Sequence, residues 1–366
     1  MDDYTWRRKV RARESRRRQE KTYALALLFA VVSVALWYFI YYIHTPEYML
    51  DRMQRAYNSN NLEQLETYVD LPKITGECYD DLTMDLFTYD DTISPSERAL
   101  FENFYRLVRP QINEGVLQVI KTRFETNEWV MPDGVDLLKG RQLGVDFELL
   151  LQRSMIFSTK ALELGEITTD DDGNTSVQLK ILEQITETEF NLELALEKND
   201  EGFWRIVGIK NYRAYLDEVS PKISKDVADY IEATRPIIDE FQYVFEDQRV
   251  NFWYLNESKD GTLTPAQKER VALFIESQVI PERLYRQEKL DEIPVPNGAK
   301  YFAKLRQQST EVSIQAWRYY IRGLREESVA AFDTAESLQK LERTIDQRIE
   351  EIARRIAVAR TLPTIQ

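Results

Sequence analysis

The feature that most constrains this chain is an apolar stretch near its N-terminus. From Tyr23 to Ile43 no residue carries a formal charge. A helix of this length, at about 1.5 Å per residue, spans a hydrocarbon core of about 30 Å. A cleaved signal peptide has a shorter apolar run that ends in small residues, whereas this run ends in LWYFIYYIHT. The stretch therefore predicts an uncleaved transmembrane helix with an aromatic belt, and we assign as anchor residues Tyr23, Leu28, Trp37, Tyr41 and Tyr42.

The basic segment before this stretch predicts the orientation of the helix. Residues 1–22 contain nine Lys or Arg residues and four acids. We assign as topology determinants Arg7, Arg8, Lys9, Arg16, Arg17 and Arg18. Because such cations stay on the cytoplasmic side, residues 1–22 are predicted to form a cytoplasmic stub that contacts anionic lipids, with the body outside. A nucleic-acid-binding arm is the less favoured interpretation of the stub.

Charge and cysteine content argue against a body that binds nucleic acid and against a fold held by internal disulfides. The stub carries a charge of +5, which leaves −19 for the rest of a chain whose net charge is −14. A body this acidic disfavours nucleic acid as a partner. The single cysteine, Cys78, excludes an internal disulfide, and its acidic neighbours predict an unreactive thiol.

Residues 46–216 are predicted to form an α+β domain in which helices precede strands. Apolar stripes on both sides of NSNN predict two short helices, and Ser94 and Pro95 begin a longer helix that Pro110 ends or kinks. The apolar period then changes to two in TSVQLKILEQ, EFNLELALEK and GFWRIVGIKNY, which are separated by the turns DDDGN and NDEG. These segments predict an antiparallel meander with one face covered by the helices.

Two segments of this region carry a resemblance to a known family. YMLDRMQRAYNSNNLEQLETYVDL and FWRIVGIKNYRAYL resemble a bacterial family of membrane-anchored extracytoplasmic proteins of unknown function. The domain of that family is similar to the nuclear-transport-factor-like cone fold, in which helices close over a curved sheet. The resemblance covers about residues 45–216 and implies a cone-like domain in a protein of the bacterial cytoplasmic (inner) membrane. It implies no catalytic residues.

Residues 217–366 are predicted to form an antiparallel α-helical bundle. Ser220 and Pro221 are typical of a helix start, Pro236 interrupts the pattern, and Thr264 caps the next helix. The last helix has an apolar stripe formed by Leu338, Leu341, Ile345, Ile349, Ile352 and Ile356. We interpret this stripe as packing within the chain, with an oligomerising coiled coil as the alternative.

Few residues indicate chemistry. The only histidine, His44, ends the apolar stretch, so no His-based triad or His-ligated zinc site is predicted. The loop NESKDGTLTPAQ resembles a calcium loop, but it begins with Asn256 and ends with Gln267 where the metal requires carboxylates. A polar turn before a capped helix is the favoured interpretation, and no cofactor or metal is predicted.

Two functional hypotheses follow. The leading one is a non-enzymatic envelope protein that is anchored in lipid and binds a partner protein, a wall polymer or a lipophilic ligand. The alternative is a ligand sensor or an enzyme that uses a cone cavity with a buried acid and a tyrosine. We favour the first because the sequence contains no nucleophile–base or metal-binding pattern.

Overall fold

The computed structural model describes residue 23 and residues 25–88, 94–130, 147–257 and 262–361. The predicted α+β class is confirmed over these residues, which are mostly helical and contain one open four-stranded antiparallel sheet.

The helices and strands are numbered here in chain order. The helices are α1 (25–40), α2 (Pro46–Asn58), α3 (Leu62–Tyr68), α4 (Leu71–Thr88), α5 (Pro95–Thr126), α6 (Phe147–Arg153), α7 (Tyr212–Asn256), α8 (Pro265–Phe274), α9 (Ile280–Asp291), α10 (Lys300–Glu326) and α11 (Val329–Thr361). The strands are β1 (Thr159–Thr169), β2 (Thr175–Glu183), β3 (Thr188–Lys198) and β4 (Trp204–Ile209). Short 3-10 turns cover Tyr42–His44 and Asn297–Ala299, and a π-helical turn, Ile275–Val279, joins α8 to α9.

The sheet has the strand order β1-β2-β3-β4, with every neighbouring pair antiparallel. The meander predicted from the three alternating segments is confirmed as β2, β3 and β4. The DDDGN turn also forms as predicted, because the Asp170 carboxylate accepts from the Asn174 amide at 2.8 Å and Gly173 adopts a φ of +85°. Strand β1 was not predicted.

One face of the sheet packs against the helices that precede and follow it. Each side chain of the alternating set on β2 and β3 meets apolar helix residues, and the shared core includes Met49, Leu65, Tyr79, Val119, Val177, Ile181, Leu194 and Tyr215. At the outer edge of β4, Val69 forms a bridge to Ile206, and the Asp70 amide donates to the Ile206 carbonyl at 2.8 Å. The loop between α3 and α4 therefore lies along that edge.

Helix α7 runs without interruption through Pro221 and Pro236, so the predicted helix start at Ser220 is wrong. Helix α5 likewise continues through Pro110. All three prolines are exposed. A proline removes the hydrogen bond to the carbonyl four residues earlier, and on a solvent-facing side water replaces that bond. Buried residues on both sides of Pro221, including Val219, keep the helix continuous.

Helix α7 also joins the sheet region to the C-terminal helices. The predicted boundary between residues 216 and 217 lies inside it. Helices α10 and α11 run antiparallel, since Ser309 donates to Asp346 at 2.6 Å and a Cβ at Gly323 would lie 2.8 Å from the Phe332 ring. Helix α11 returns to the sheet region, where Arg348 and Glu148 on α6 form an ion pair at 3.2 Å. The two regions are therefore packed against each other.

The apolar stripe of α11 packs within the chain, with one correction. Ile349, Ile352 and Ile356 contact a core formed by residues of α7 and α10. Leu341 is 44 % exposed, so its predicted place in the stripe is wrong. The half-buried Glu342 takes that place. With Glu342 the inward positions follow a regular alternation of four- and three-residue steps, as a helix packed along its length requires.

We expect Ile349→Asp to destabilise the C-terminal helices by about 2–4 kcal/mol, because it places a charge in an apolar contact. Leu341→Asp is the matched control on the exposed face of the same helix and should change the free energy of unfolding by less than about 0.5 kcal/mol. Chemical denaturation of both variants checks this. Equal stability of the two variants would contradict the packing described for α11.

Candidate membrane anchor

The apolar N-terminal segment forms a helix that no other part of the described chain covers. The segment Leu25–His44 is 20 residues long, has a mean hydropathy of 2.1 and is not buried by protein. It is long and apolar enough to cross a membrane. Of the predicted anchor residues, Tyr23, Leu28, Trp37 and Tyr41 are exposed and Tyr42 is half-buried. The predicted topology determinants, from Arg7 to Arg18, lie outside the described residues.

The C-terminal end of this segment carries an aromatic collar, which consists of Trp37, Tyr38, Tyr41, Tyr42 and Tyr48. The rings of Trp37 and Tyr42 stack with centroids 5.6 Å apart, and Tyr48 on α2 meets Tyr42 edge-on at 5.5 Å. Arg52 lies over the Tyr48 ring at 5.2 Å. Hydrogen bonds to Tyr48 and Tyr38 raise the pKa of Arg52. The collar thus joins the apolar helix to the first helix of the body.

His44 makes a second contact between the apolar segment and the body. Its ring stacks on Phe203 with centroids 4.6 Å apart, and its Nδ1 donates to the Gly202 carbonyl at 3.2 Å. Gly202 adopts a φ of +81° in the turn between β3 and β4. Thr45 follows at once and caps α2 by accepting from the Tyr48 amide. We therefore assign His44 a structural role, as its position at the end of the segment predicts.

These contacts place the apolar helix at one end of the sheet. In an antiparallel meander the β1–β2 and β3–β4 turns lie at the same end. That end is acidic, because its turns contain Asp170, Asp171, Asp172, Asp200 and Glu201.

A groove of about 540 Å³ between α2 and β1 is lined by apolar side chains and by Glu47, Asp51 and Glu166. Within the described residues, no group of three or more His, Cys, Asp or Glu side chains is arranged to hold a metal ion.

The buried acid and tyrosine that a cone-cavity enzyme would need are present but engaged in the fold. Glu183 is fully buried, and its carboxylate accepts from the amides of Ile185 at 3.0 Å and Thr186 at 2.6 Å. Tyr215 is 2 % exposed, and its hydroxyl pairs with the Thr159 hydroxyl at 2.6 Å. Burial raises the pKa of Tyr215 to about 12. The Glu183 carboxylate, through its two hydrogen bonds to backbone amides, closes the turn between β2 and β3.

Cys78 is free, and its thiol is poorly suited to chemistry. Burial raises its pKa to about 12, and the nearby carboxylates of Asp81 and Glu77 act in the same direction. Since the thiolate is the reactive form, the folded protein holds this side chain inert at neutral pH.

Comparison with protein-family models, with curated proteins and with solved structures finds no match to this chain.

We expect His44→Ala to loosen the turn between β3 and β4, because it removes both the ring stack on Phe203 and the hydrogen bond to Gly202. Amide hydrogen exchange at residues 199–203 should accelerate by about tenfold, while global stability stays within about 1 kcal/mol. Tyr243→Ala, on the exposed face of α7, should leave exchange in this turn unchanged. Unchanged exchange in His44→Ala would show that the contact does not hold the turn.

The thiol of Cys78 should not react with a maleimide in the folded protein at pH 8. A pKa near 12 leaves only a trace of thiolate, whereas an unperturbed thiol ionises near pH 8.5. We expect labelling to be at least about 100-fold slower than in denaturant. Mass spectrometry over time measures this, and comparable rates in the two conditions would contradict the raised pKa of the half-buried Cys78.

Proposed function

We propose that this chain is a single-pass membrane protein of the bacterial cell envelope, with an extracytoplasmic role in binding or scaffolding. The observation that carries the proposal is the uncovered apolar helix at residues 25–44. In this proposal residues 23–43 and the basic stub bind membrane lipids. Residues 1–22 lie in the cytoplasm, and the body lies outside the cytoplasmic (inner) membrane.

The energy of the exposed apolar surface supports the anchor. Seven aliphatic or phenyl side chains in this segment are at least 60 % exposed: Leu25, Leu27, Leu28, Phe29, Val34, Phe39 and Ile40. Burying one such side chain is worth about 1.5–3 kcal/mol. Together these side chains expose surface worth on the order of 10 kcal/mol, which is comparable to the whole stability of a typical domain. Lipid is the medium that buries such a helix without a protein partner.

We further propose that residues 46–216 form a cone-like domain of the kind that the family resemblance implies, and that residues 217–366 form a helical bundle. The helix-covered face of the meander supports the first, and the antiparallel pair α10–α11 supports the second. The proposed binding partner of these two domains is an envelope protein or a lipophilic ligand. The role requires neither a cofactor nor nucleic acid. We favour a non-enzymatic role because the buried carboxylate of Glu183 is committed to its own turn.

The anchor predicts that the full chain sediments with membranes and resists extraction at alkaline pH. A variant that lacks residues 1–44 should appear in the soluble fraction with an unchanged α+β circular dichroism spectrum. The purified full chain should have an intact mass of 43.2 kDa, with the stub still attached. A mass that lacks the first 22 residues or more, or release of the full chain at alkaline pH, would overturn the anchor.

A further inference from the structure

The C-terminal helices enclose three arginines whose environment differs from that of the surface arginines. Arg283 and Arg286 lie on α9 and Arg306 lies on α10, and all three are half-buried. We refer to these three residues as the arginine cluster. Arg286 lies close enough to both of the others for its charge to lower the pKa of Arg283 and of Arg306. The cluster is therefore a local concentration of positive charge in an otherwise acidic body.

Aromatic rings cover the flat faces of these guanidinium groups. Arg283 and Arg286 share the Phe245 ring, at 4.6 Å and 4.9 Å from its centroid. Arg306 lies over the Phe302 ring at 4.6 Å. Stacking of this kind orients a guanidinium and leaves its N–H groups directed outward in its plane. The N–H groups are thus oriented so that they can donate hydrogen bonds to acceptors in the plane of each guanidinium.

The acceptors that the described residues supply within hydrogen-bond distance are all uncharged oxygens. Arg283 donates from Nε to the Ser313 hydroxyl at 2.9 Å, Arg286 donates to the Thr310 hydroxyl at 3.0 Å, and Arg306 donates to the Thr234 hydroxyl at 2.6 Å. In the described part of the chain no carboxylate lies within 4.0 Å of any of the three guanidinium groups, and the buried Nε of Arg286 has no acceptor. The cluster therefore has more donors than protein acceptors.

Two carboxylates on α11 face the cluster at longer range. Glu342 and Asp346 both interact electrostatically with Arg283 and Arg286, and Asp346 itself accepts from Ser309. Burial lowers the pKa of Arg283 to about 10 and raises the pKa of Glu342. Three cations against two such carboxylates leave the region where α7, α9, α10 and α11 meet with an excess of positive charge.

The backbone next to the cluster is irregular, and Gln248 and Arg283 donate hydrogen bonds to its carbonyl groups. Pro281 has no N–H and its ring excludes the carbonyl four residues earlier, which accounts for the π-helical turn that precedes it. The Gln278 carbonyl accepts from Gln248 at 3.0 Å, and the Val279 carbonyl accepts from Arg283 at 3.2 Å. Gln248 also accepts from Arg283 at 3.3 Å. This turn thereby fixes the position of Arg283 relative to α7.

We propose that the arginine cluster binds a phosphate group. A phosphate presents several oxygens in different directions, which suits guanidinium edges arriving from two helices, and it would supply the acceptor that the Nε of Arg286 lacks. The inference concerns the C-terminal helices alone and does not depend on the membrane anchor. The same chemistry is carried by free phosphate and by the phosphodiester of an anionic phospholipid, and the experiment separates these two sources.

The test compares Arg286→Met with Arg325→Met in the full chain, purified in detergent. Arg325 is the matched control, because it lies on α10 among the same helices but pairs with Glu269 and Glu276 at the surface. Calorimetric titration with inorganic phosphate, against chloride of equal ionic strength, should show binding to the wild type and to Arg325→Met. Binding to Arg286→Met should be at least tenfold weaker. A parallel titration with phosphatidylglycerol vesicles identifies a lipid headgroup if the vesicles bind through Arg286 more tightly than phosphate does.

No binding of phosphate or vesicles to the wild type would overturn the proposal, as would equal binding to the two variants. If Arg286→Met fails to fold, Arg286→Lys keeps the charge and removes the forked donor geometry. A phosphate-dependent rise in the melting temperature of the wild type that is at least halved in Arg286→Lys, but unchanged in Arg325→Met, supports the site. Equal rises in all three proteins overturn it. These outcomes leave the anchor unaffected, since they are measured after extraction from the membrane.

Discussion

Under the proposed function, the location of the folded body depends on the removal of one apolar helix from water. The segment Leu25–His44 exposes its side chains on all sides to whatever surrounds the protein, and no described part of the body folds over it. The collar and the His44 contact begin where the apolar residues end. They fix which end of the sheet lies next to the apolar helix. The turns at that end are acidic, and under the proposed function these acids would keep the body from adhering to an anionic membrane.

One continuous helix, α7, connects the sheet to the C-terminal helices. Helix α7 starts over the sheet, where Tyr215 packs on Phe190, and ends among the C-terminal helices, where Phe252 meets Trp317. Helix α11 returns along it and contacts α6 through Arg348. The two regions therefore share one helix and are joined by contacts of a second. The arginine cluster lies in the part of the body farthest along the chain from the anchor.

The elements that the sequence predicted well are those whose burial is strongly periodic. Strands β2–β4, the helix pair α2–α3 and the helix cap at Thr264 were all predicted, since alternation and capping residues are visible in a sequence. Strand β1 was missed because it is a largely exposed edge strand with irregular register, so its residues do not alternate. The continuity of α7 was missed because the burial of residues on both sides of Pro221, which outweighs the proline penalty, depends on tertiary packing. The inward position of Glu342 was missed because an apolar stripe was assumed to contain only apolar residues. Its partners, Arg283 and Arg286 on α9, approach it only in the folded chain.

The central claim is that the apolar helix stays in the membrane and holds the body outside the cytoplasm. The most direct measurement is the labelling of a single added cysteine, because the raised pKa of Cys78 keeps its own thiol from reacting. In intact spheroplasts, a membrane-impermeant maleimide should label Tyr254→Cys, at a site that is 62 % exposed, and should label Ser15→Cys only after the membrane is permeabilised. Labelling of Ser15→Cys in intact spheroplasts, with Tyr254→Cys protected until permeabilisation, would contradict the proposed orientation.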